Sequence, residues 1–207
     1  MCEDPAVPGL KKQPLLIVIS GPSGVGKDSV LERMKERQLP FHFVITATSR
    51  APRPYETDGV DYFFYSKEEF ERMIANDEFF EHTLVYEDYK GIPKAQVKKA
   101  FASGMDVVMR VDVQGAATVK SKAQEAILVF ISPSSEEELV ERLKQRKTDS
   151  EEQLKIRIQM AREELRRIDE FDYQVINCEG KLDEAVDIIR AVIRAEHHRV
   201  HPRKVNL

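Results

Sequence analysis

Positive charge is not in excess in this chain: 32 Lys and Arg stand against 36 Asp and Glu, for a net charge of −4 at neutral pH. A nucleic-acid binder driven by bulk charge is therefore excluded, and any anion site must concentrate its cations locally. Cysteine is nearly absent. Cys2 and Cys178 alone point to a reducing compartment and exclude a disulfide framework. No apolar run approaches the roughly 20 residues of a membrane span. Met1–Pro14, with Pro5, Pro8, Gly9 and Pro14, lacks both the apolar core of a signal peptide and the Arg/Ser richness of a transit peptide. It reads as a disordered lead, with room for a cleaved targeting segment upstream. Internal repeats are lacking as well. What remains is 207 residues, 42% hydrophobic and 33% charged: a soluble, intracellular globular protein of one domain with inserted lobes.

The most informative stretch is Leu15–Val30, LLIVISGPSGVGKDSV. Leu15 to Ile19 has the length and branched character of a buried strand. A glycine-rich turn follows, then Val30, Leu31 and Met34 at helical spacing. Gly21, Gly26 and Lys27 fit the G-x-x-x-x-G-K of a phosphate-binding loop in its strand–turn–helix setting. Glycines let successive N–H groups turn toward phosphate oxygens, the following helix offers its N-terminus, and Lys27 adds a full charge. A mere glycine turn is the blander reading, and the lysine and the context both oppose it. Asp28 stands where Ser or Thr should hold Mg2+, and Ser29 comes one place late.

Further strands are expected at Phe41–Thr46, Asp61–Tyr65, within Glu78–Tyr86, and at Met105–Val111, Ala126–Ser132 and Tyr173–Asn177. Helices are expected at Ser66–Asn76, after Pro93 to near Gly104 with Val97 and Phe101 inward, at Ser134–Lys147, at Glu151–Ile168 and at Leu182–Glu196. Ser66 with Glu69, and Ser134 with Glu137, read as capping boxes. Leu154, Ile158, Ala161 and Leu165 form one stripe. Gly91 reads as punctuation. Alternating strands and helices imply an α/β fold with a parallel sheet covered on both faces. The short aromatic segments between Thr46 and Gly91 interrupt that rhythm and read as an inserted lobe. His197, His198 and His201 lack acidic or cysteine neighbours and read as an exposed polar tail, not a metal site.

Three constellations bear on chemistry. Arg50, Arg53 and Tyr62 suit a second, smaller phosphate, since guanidinium forks match its oxygens; a solvated basic loop is the alternative. Arg110 and Asp112 close a strand with Gln114 and Gly115 after it. Ligands of open parallel sheets sit beyond the strands' carboxyl ends, so Asp112 is expected to face the crevice of Lys27. An ordinary strand-end turn is equally compatible. Arg142, Arg146 and Arg157 flank a break at Lys147–Ser150 and suit a closing lid, although nearby glutamates offer plain helical ion pairs. Two anion sites and a lid imply phosphoryl transfer between nucleotides.

GPSGVGK, TSRAPR followed by DGVDYFF, FFEH and VDVQGA resemble the guanylate kinases, nucleoside-monophosphate kinases, from about Leu15 to Glu196. The resemblance implies a P-loop NTPase core with a parallel five-stranded sheet over residues 15–46, 93–133 and 168–207. It also implies a GMP-binding lobe at 47–92 and a helical lid at 134–167. The implied reaction is ATP + GMP to ADP + GDP with Mg2+, dGMP being an alternative acceptor. By resemblance, Gly21, Pro22, Ser23, Gly24, Val25, Gly26, Lys27, Asp28 and Ser29 hold ATP, with Asn177 near its adenine end. Thr46, Arg50, Arg53, Tyr62, Glu81, Lys90, Asp112 and Gly115 hold GMP, Glu81 accepting from guanine N1 and the 2-amino group. Lys27, Arg50, Arg142, Arg146 and Arg157 are the implied catalytic cations. Mg2+ is implied at Asp28, directly, through water or not at all, with Ser29 nearby and reaching the α-phosphate.

Three positions depart from the family pattern. Lys90 replaces a phosphate-binding tyrosine, Ile92 a hydroxyl facing guanine O6, and Arg110 an acidic residue. Arg110 either pairs with Asp112 or reaches the acceptor phosphate. These variants resemble plastid guanylate kinases of plants and so imply a chloroplast stroma, with mitochondrion or cytoplasm as alternatives. The expected assembly is a monomer or weak homodimer without nucleic-acid or membrane partners. Another nucleoside-monophosphate kinase and a non-catalytic guanylate-kinase-like scaffold are the competing readings; the scaffold is opposed by the intact phosphate loop. A GTPase is opposed by the lack of an N-K-x-D motif.

Overall fold

The computed structural model describes residues 13–85, 87–145 and 151–205. The lead over residues 1–12 with Cys2, the expected lid arginine Arg146 and the expected break at Lys147–Ser150 lie outside the described residues. The apolar run after Leu15 forms β1 (Leu16–Ser20), buried throughout. After the glycine turn, α1 (Lys27–Glu36) buries Val30, Leu31 and Met34, as its spacing predicts. β2 (Phe41–Phe43) is shorter than expected. Its ladder ends where the Val44 N–H bonds the Val108 carbonyl at 2.9 Å, and the chain then crosses to a second sheet. That sheet begins with β3 (Ala47–Thr48) and β4 (Phe63–Phe64). α2 (Lys67–Ala75) follows, capped by the Ser66 hydroxyl, which accepts from the Glu69 N–H at 3.1 Å.

β5 (Phe79–Val85) lies inside the expected segment, whereas β6 (Asp88–Pro93) was not expected. Gly91 is no turn; it is buried within β6 and pairs with Ala47 on one side and His82 on the other. α3 (Lys94–Ala102) starts after Pro93 and buries Val97, with Phe101 half-buried. β7 (Asp106–Arg110) leads into a second unexpected element, α4 (Val113–Lys122). Thus Asp112 is a helix N-cap, its carboxylate accepting from the Gly115 N–H at 2.7 Å. β8 (Ile127–Ser132), α5 (Glu136–Lys144), α6 (Glu151–Leu165), β9 (Tyr173–Ile176) and α7 (Leu182–His197) complete the chain. α6 stops short of the expected Ile168, which opens a 3-10 turn instead. The cap of α5 is also one residue later than expected. Ser135, not Ser134, accepts from the Glu138 N–H, while Ser134 donates back to the Glu138 carboxylate. Two serines before three glutamates allow either register, and the extended backbone of Ser135 selects this one.

The first sheet is five-stranded and parallel, in the order β2-β7-β1-β8-β9. Alternation within β1 feeds two cores. Leu15, Ile17 and Ile19 pack with residues of α1, α6 and α7, while Leu16 and Val18 pack with residues of α3 and α4. β1 is central, with Ile19 beside Arg110 and Ser20 beside Phe130. The phosphate loop, Arg110–Asp112 and the end of β9 therefore share the sheet's carboxyl edge, where open α/β sheets bind ligands.

The second sheet, β4-β3-β6-β5, packs Phe79 on α2, where Phe70 stacks on it at 4.3 Å between centroids. No helix of the described residues is long and apolar enough to cross a membrane. The histidine tail is only partly as expected. His198 and His201 are exposed, but His197 closes α7 and pairs with Asp106 at 2.7 Å. Asp106 also accepts from the Leu15 N–H at 2.9 Å, so the pair ties the last helix to two strands.

Candidate active site

The turn after β1 is tight. Gly21 has φ +137°, and a Cβ there would overlap the Ile131 carbonyl oxygen of β8. Only glycine fits, since the clash is with backbone. Lys27 folds back over this turn, donating to the carbonyls of Gly21 at 2.5 Å and Pro22 at 2.9 Å. Burial lowers its pKa to about 8; Lys90 and Arg110 add to that, and Glu164 and Asp112 oppose it. Two expected nucleotide contacts brace the loop from behind. Asn177 donates to the Val25 carbonyl at 2.9 Å. Arg142 donates to the same carbonyl at 3.0 Å and to the Asn177 carbonyl at 2.8 Å, and pairs with Glu138. In this structure both hold the loop in shape. Val25 itself turns into the core.

In front of the loop, a single cleft is lined by Ser23, Gly24, Gly26, Lys27, Asp28 and Ser29 from the donor side. Thr46, Arg50, Arg53, Tyr62, Glu81, Lys90, Asp112 and Arg157 line the same cleft. The expected donor and acceptor groups thus meet in one crevice. Arg50 is aimed by a residue that motif reading missed: Glu56 grips it with two hydrogen bonds, at 2.7 and 2.9 Å. Glu56 also accepts from the Arg53 N–H at 2.8 Å. Bonding to Arg50 holds the Glu56 carboxyl below its ordinary pKa. A guanidinium has five N–H donors, so Arg50 keeps donors for a ligand. Its guanidinium also lies 5.3 Å from the Tyr62 ring centroid.

Arg110 lines the cleft beside Arg50 and Tyr62, and its ion-pair partner is Asp28 where Asp112 was one expectation. It lies 4.8 Å over the Tyr62 ring. Burial lowers its pKa to about 10. The Asp28 side chain stays 63% exposed and also lines the cleft, so it keeps acceptor sites beyond Arg110. The pair joins the first turn of α1 to the end of β7, with Tyr62 of the second lobe stacked against it.

Glu81 is 2% exposed, and its Oε1 has no hydrogen-bond partner among the described residues. Burial, with Asp112 adding to it, raises its pKa to about 8 against the opposing pull of Lys122 and Lys90. A buried, unsatisfied carboxylate facing a cleft is costly unless a ligand completes it. Gly115 serves that carboxylate by being small, since a Cβ there would lie 2.7 Å from Glu81 Oε1. Its own N–H is already given to Asp112. Ile92 lies in the core, fully buried among Val97, Phe80 and Met109, and so is not a cleft residue.

Beyond Glu56, the cleft includes Thr83, Val85, Asp88, Met160 and Glu164. Thr83 and Val85 were findable, because they follow Glu81 at the two-residue period of β5. Among the described residues, no group of three or more His, Cys, Asp or Glu side chains is placed to hold a metal ion.

The chain matches the family model described as "Guanylate kinase" over residues 13–196. It is 52% identical over 196 residues to "Guanylate kinase 2, chloroplastic/mitochondrial" of Oryza sativa subsp. japonica, covering 94% of this chain and 69% of that protein. The guanylate kinase of Caldanaerobacter subterraneus subsp. tengcongensis is 48% identical, covering 94% of each. The crystal structure of guanylate kinase from Anaplasma phagocytophilum superposes with a TM-score of 0.72 at 28% identity, over 92% of this chain and 90% of that one. Loop, cleft, family model and full-length relatives agree: this chain belongs to the guanylate kinase family, the nucleoside-monophosphate kinases that transfer a phosphoryl group to GMP.

Proposed function

We propose how the cleft divides that reaction among its residues. Gly21–Gly26, Lys27 and Ser29 take the phosphates of ATP through backbone N–H groups, the start of α1 and the lysine charge. Arg50, aimed by Glu56, takes the phosphate of GMP together with Arg53, Tyr62 and Lys90. Glu81 accepts from guanine N1 and the 2-amino group, beside Thr46. Asp112 borders the acceptor and, as an N-cap, keeps a fixed place at the mouth of α4.

The attacking phosphate oxygen is already anionic, so a general base has little to do. The work is alignment and charge compensation in a cleft that excludes water. Arg157 from α6 and Arg110 from β7 add positive charge around the transferred group. Arg142 acts through the loop it braces, as does Asn177. The lid at 134–167 and the lobe at 47–92 are the parts whose approach completes the cleft.

Magnesium fits this site as a companion of the nucleotide. It commonly binds through phosphates and only one or two protein oxygens, and Asp28, Ser29 and Asp112, which all line the cleft, are the residues that would hold it. The ion would supply charge neutralisation at the phosphates, beside Lys27 and Arg157. A monomer or weak homodimer is the proposed assembly, which analytical ultracentrifugation checks. The name of the rice relative supports a plastid compartment, or failing that a mitochondrial one, which imaging of the full-length fused protein checks.

Glu81, whose buried Oε1 is unsatisfied among the described residues, carries the acceptor assignment, because guanine offers two adjacent donors where adenine has no such pair. A coupled ADP-release assay with GMP, dGMP, AMP, UMP and CMP tests it. GMP and dGMP are expected to support turnover and AMP to lag by at least about 10³-fold, since a buried acceptor left unpaired is heavily penalised. Turnover with AMP equal to that with GMP contradicts the assignment.

A further inference from the structure

Glu164 has no part in the steps above. It is the penultimate residue of α6, and its Oε2 accepts a hydrogen bond from the Ser23 N–H at 3.1 Å. It lines the same cleft as Lys27 and Arg157. A carboxylate is an odd tenant there. The inward N–H groups of a phosphate loop are the donors that a polyphosphate takes, and here one of them is already spent on the protein's own anion.

Glu56 and Glu164 are held very differently. Glu56 has two prongs of Arg50 and a backbone N–H, and its pKa is lowered. Glu164 has one backbone N–H, and burial raises its pKa in spite of Lys27. The Lys27 ammonium is directed at the carbonyls of Gly21 and Pro22. Glu56 is a settled partner; Glu164 is weakly satisfied and displaceable.

We infer that Glu164 is a built-in competitor of the donor phosphates, holding the Ser23 N–H until a polyphosphate enters the loop and expels it. The incoming phosphates would otherwise meet a like charge at hydrogen-bond range of their own donor. Because Glu164 rides on α6, which packs through Leu154, Ile158 and Leu165, its expulsion links filling of the loop to the position of that helix. Donor affinity is accordingly set below what the loop alone provides. The inference rests on the reading of Gly21–Lys27 as the donor-phosphate loop.

Calorimetric titration of the full chain with ADP, pyrophosphate and, separately, GMP tests it. The variants are Glu164→Gln and Glu164→Ala, with Glu163→Gln as control, its carboxylate being bonded to Gln159 on the exposed face of α6. A glutamine amide keeps an acceptor oxygen for the Ser23 N–H. Glu164→Gln therefore removes the charge without the contact and decides the matter if the alanine variant does not fold. Both Glu164 variants are expected to bind ADP and pyrophosphate about tenfold tighter, the size of effect that one nearby like charge exerts. GMP affinity and the control are expected to match the wild type. Unchanged or weaker ADP binding in Glu164→Gln overturns the inference, and so does equal tightening toward GMP, which would mark a general charge effect. A wild type that binds neither ADP nor pyrophosphate overturns the donor-loop reading itself.

Discussion

Replacing Lys27 by alanine is expected to lower turnover about 10³-fold, the usual scale for losing one preorganised charge at a reacting centre. The fold should survive, because the lysine makes its two hydrogen bonds to carbonyls of its own turn. Circular dichroism and thermal denaturation of the variant should match the wild type while a coupled assay records the loss. Arginine should not rescue it: the ammonium sits 2.5 and 2.9 Å from two carbonyls, and a planar guanidinium does not fit that space. A pH signature accompanies the role. With its pKa lowered by burial to about 8, Lys27 is charged below that value and loses its proton above it. Phosphate favours the charged form, so ADP affinity should be flat below about pH 8 and fall above it. The alanine variant should lack that fall.

The second large effect is at Glu81. Glu81→Gln is expected to reduce kcat/KM for GMP by about 10³-fold, because the amide turns a donor toward the two donors of guanine. Burial holds Glu81 near pKa 8, while guanine calls for the ionised form. Between about pH 6 and 8, GMP binding must therefore release a proton, and its affinity should rise with pH and level off above 8. Glu81→Gln should abolish both the proton release and the slope. Stability moves in the opposite sense. The folded carboxyl titrates near 8 and the unfolded one near 4.5, so the folded state binds more protons between those values and loses stability as pH rises through them. At pH 8, Glu81→Gln should be at least as stable as the wild type by thermal melting. A variant that loses activity by unfolding would show the reverse.

The parts of the molecule that sequence revealed are those whose signal is local. Leu15–Ile19 is an unbroken apolar run, and it became the central strand. The loop and α1 followed from glycine and lysine spacing, and the stripe on α6 from period. α4 was hidden because VQGAATVKSK mixes a glycine, small residues and β-branched ones. Its stability comes from the Asp112 cap and from Ala116 and Val119 packed in the core, which are tertiary facts. β6 was hidden by Gly91, which in isolation signals a turn but here pairs on both sides.

The site divides the same way. Arg50, Tyr62 and Glu81 were findable because family motifs contain them. The Arg110–Asp28 pair was not: the partners lie 82 positions apart, and Asp112, only two residues from Arg110, is the partner that proximity suggests. Glu164, 141 positions from Ser23, is invisible for the same reason. A charge's partner is set by topology, and helical spacing offers many false ones. Arg142 shows a third case. Its type and place suited a lid, and spacing could not show that it also reaches the carbonyls of Val25 and Asn177, 117 and 35 positions away.

A donor loop and a guanine-specific acceptor site sharing one cleft should accept both nucleotides at once. The most direct test is the dissociation constant of a single molecule in which adenosine and guanosine are joined through five phosphates, compared with its diadenosine counterpart. Linking two site-directed halves makes the second contact intramolecular, so the mixed compound should bind about 10²–10⁴-fold tighter than GMP or ADP alone. The diadenosine compound should gain far less, because Glu81 is left unpaired. Equal affinity for the two compounds, or a mixed compound no tighter than GMP, would contradict the shared, guanine-specific cleft.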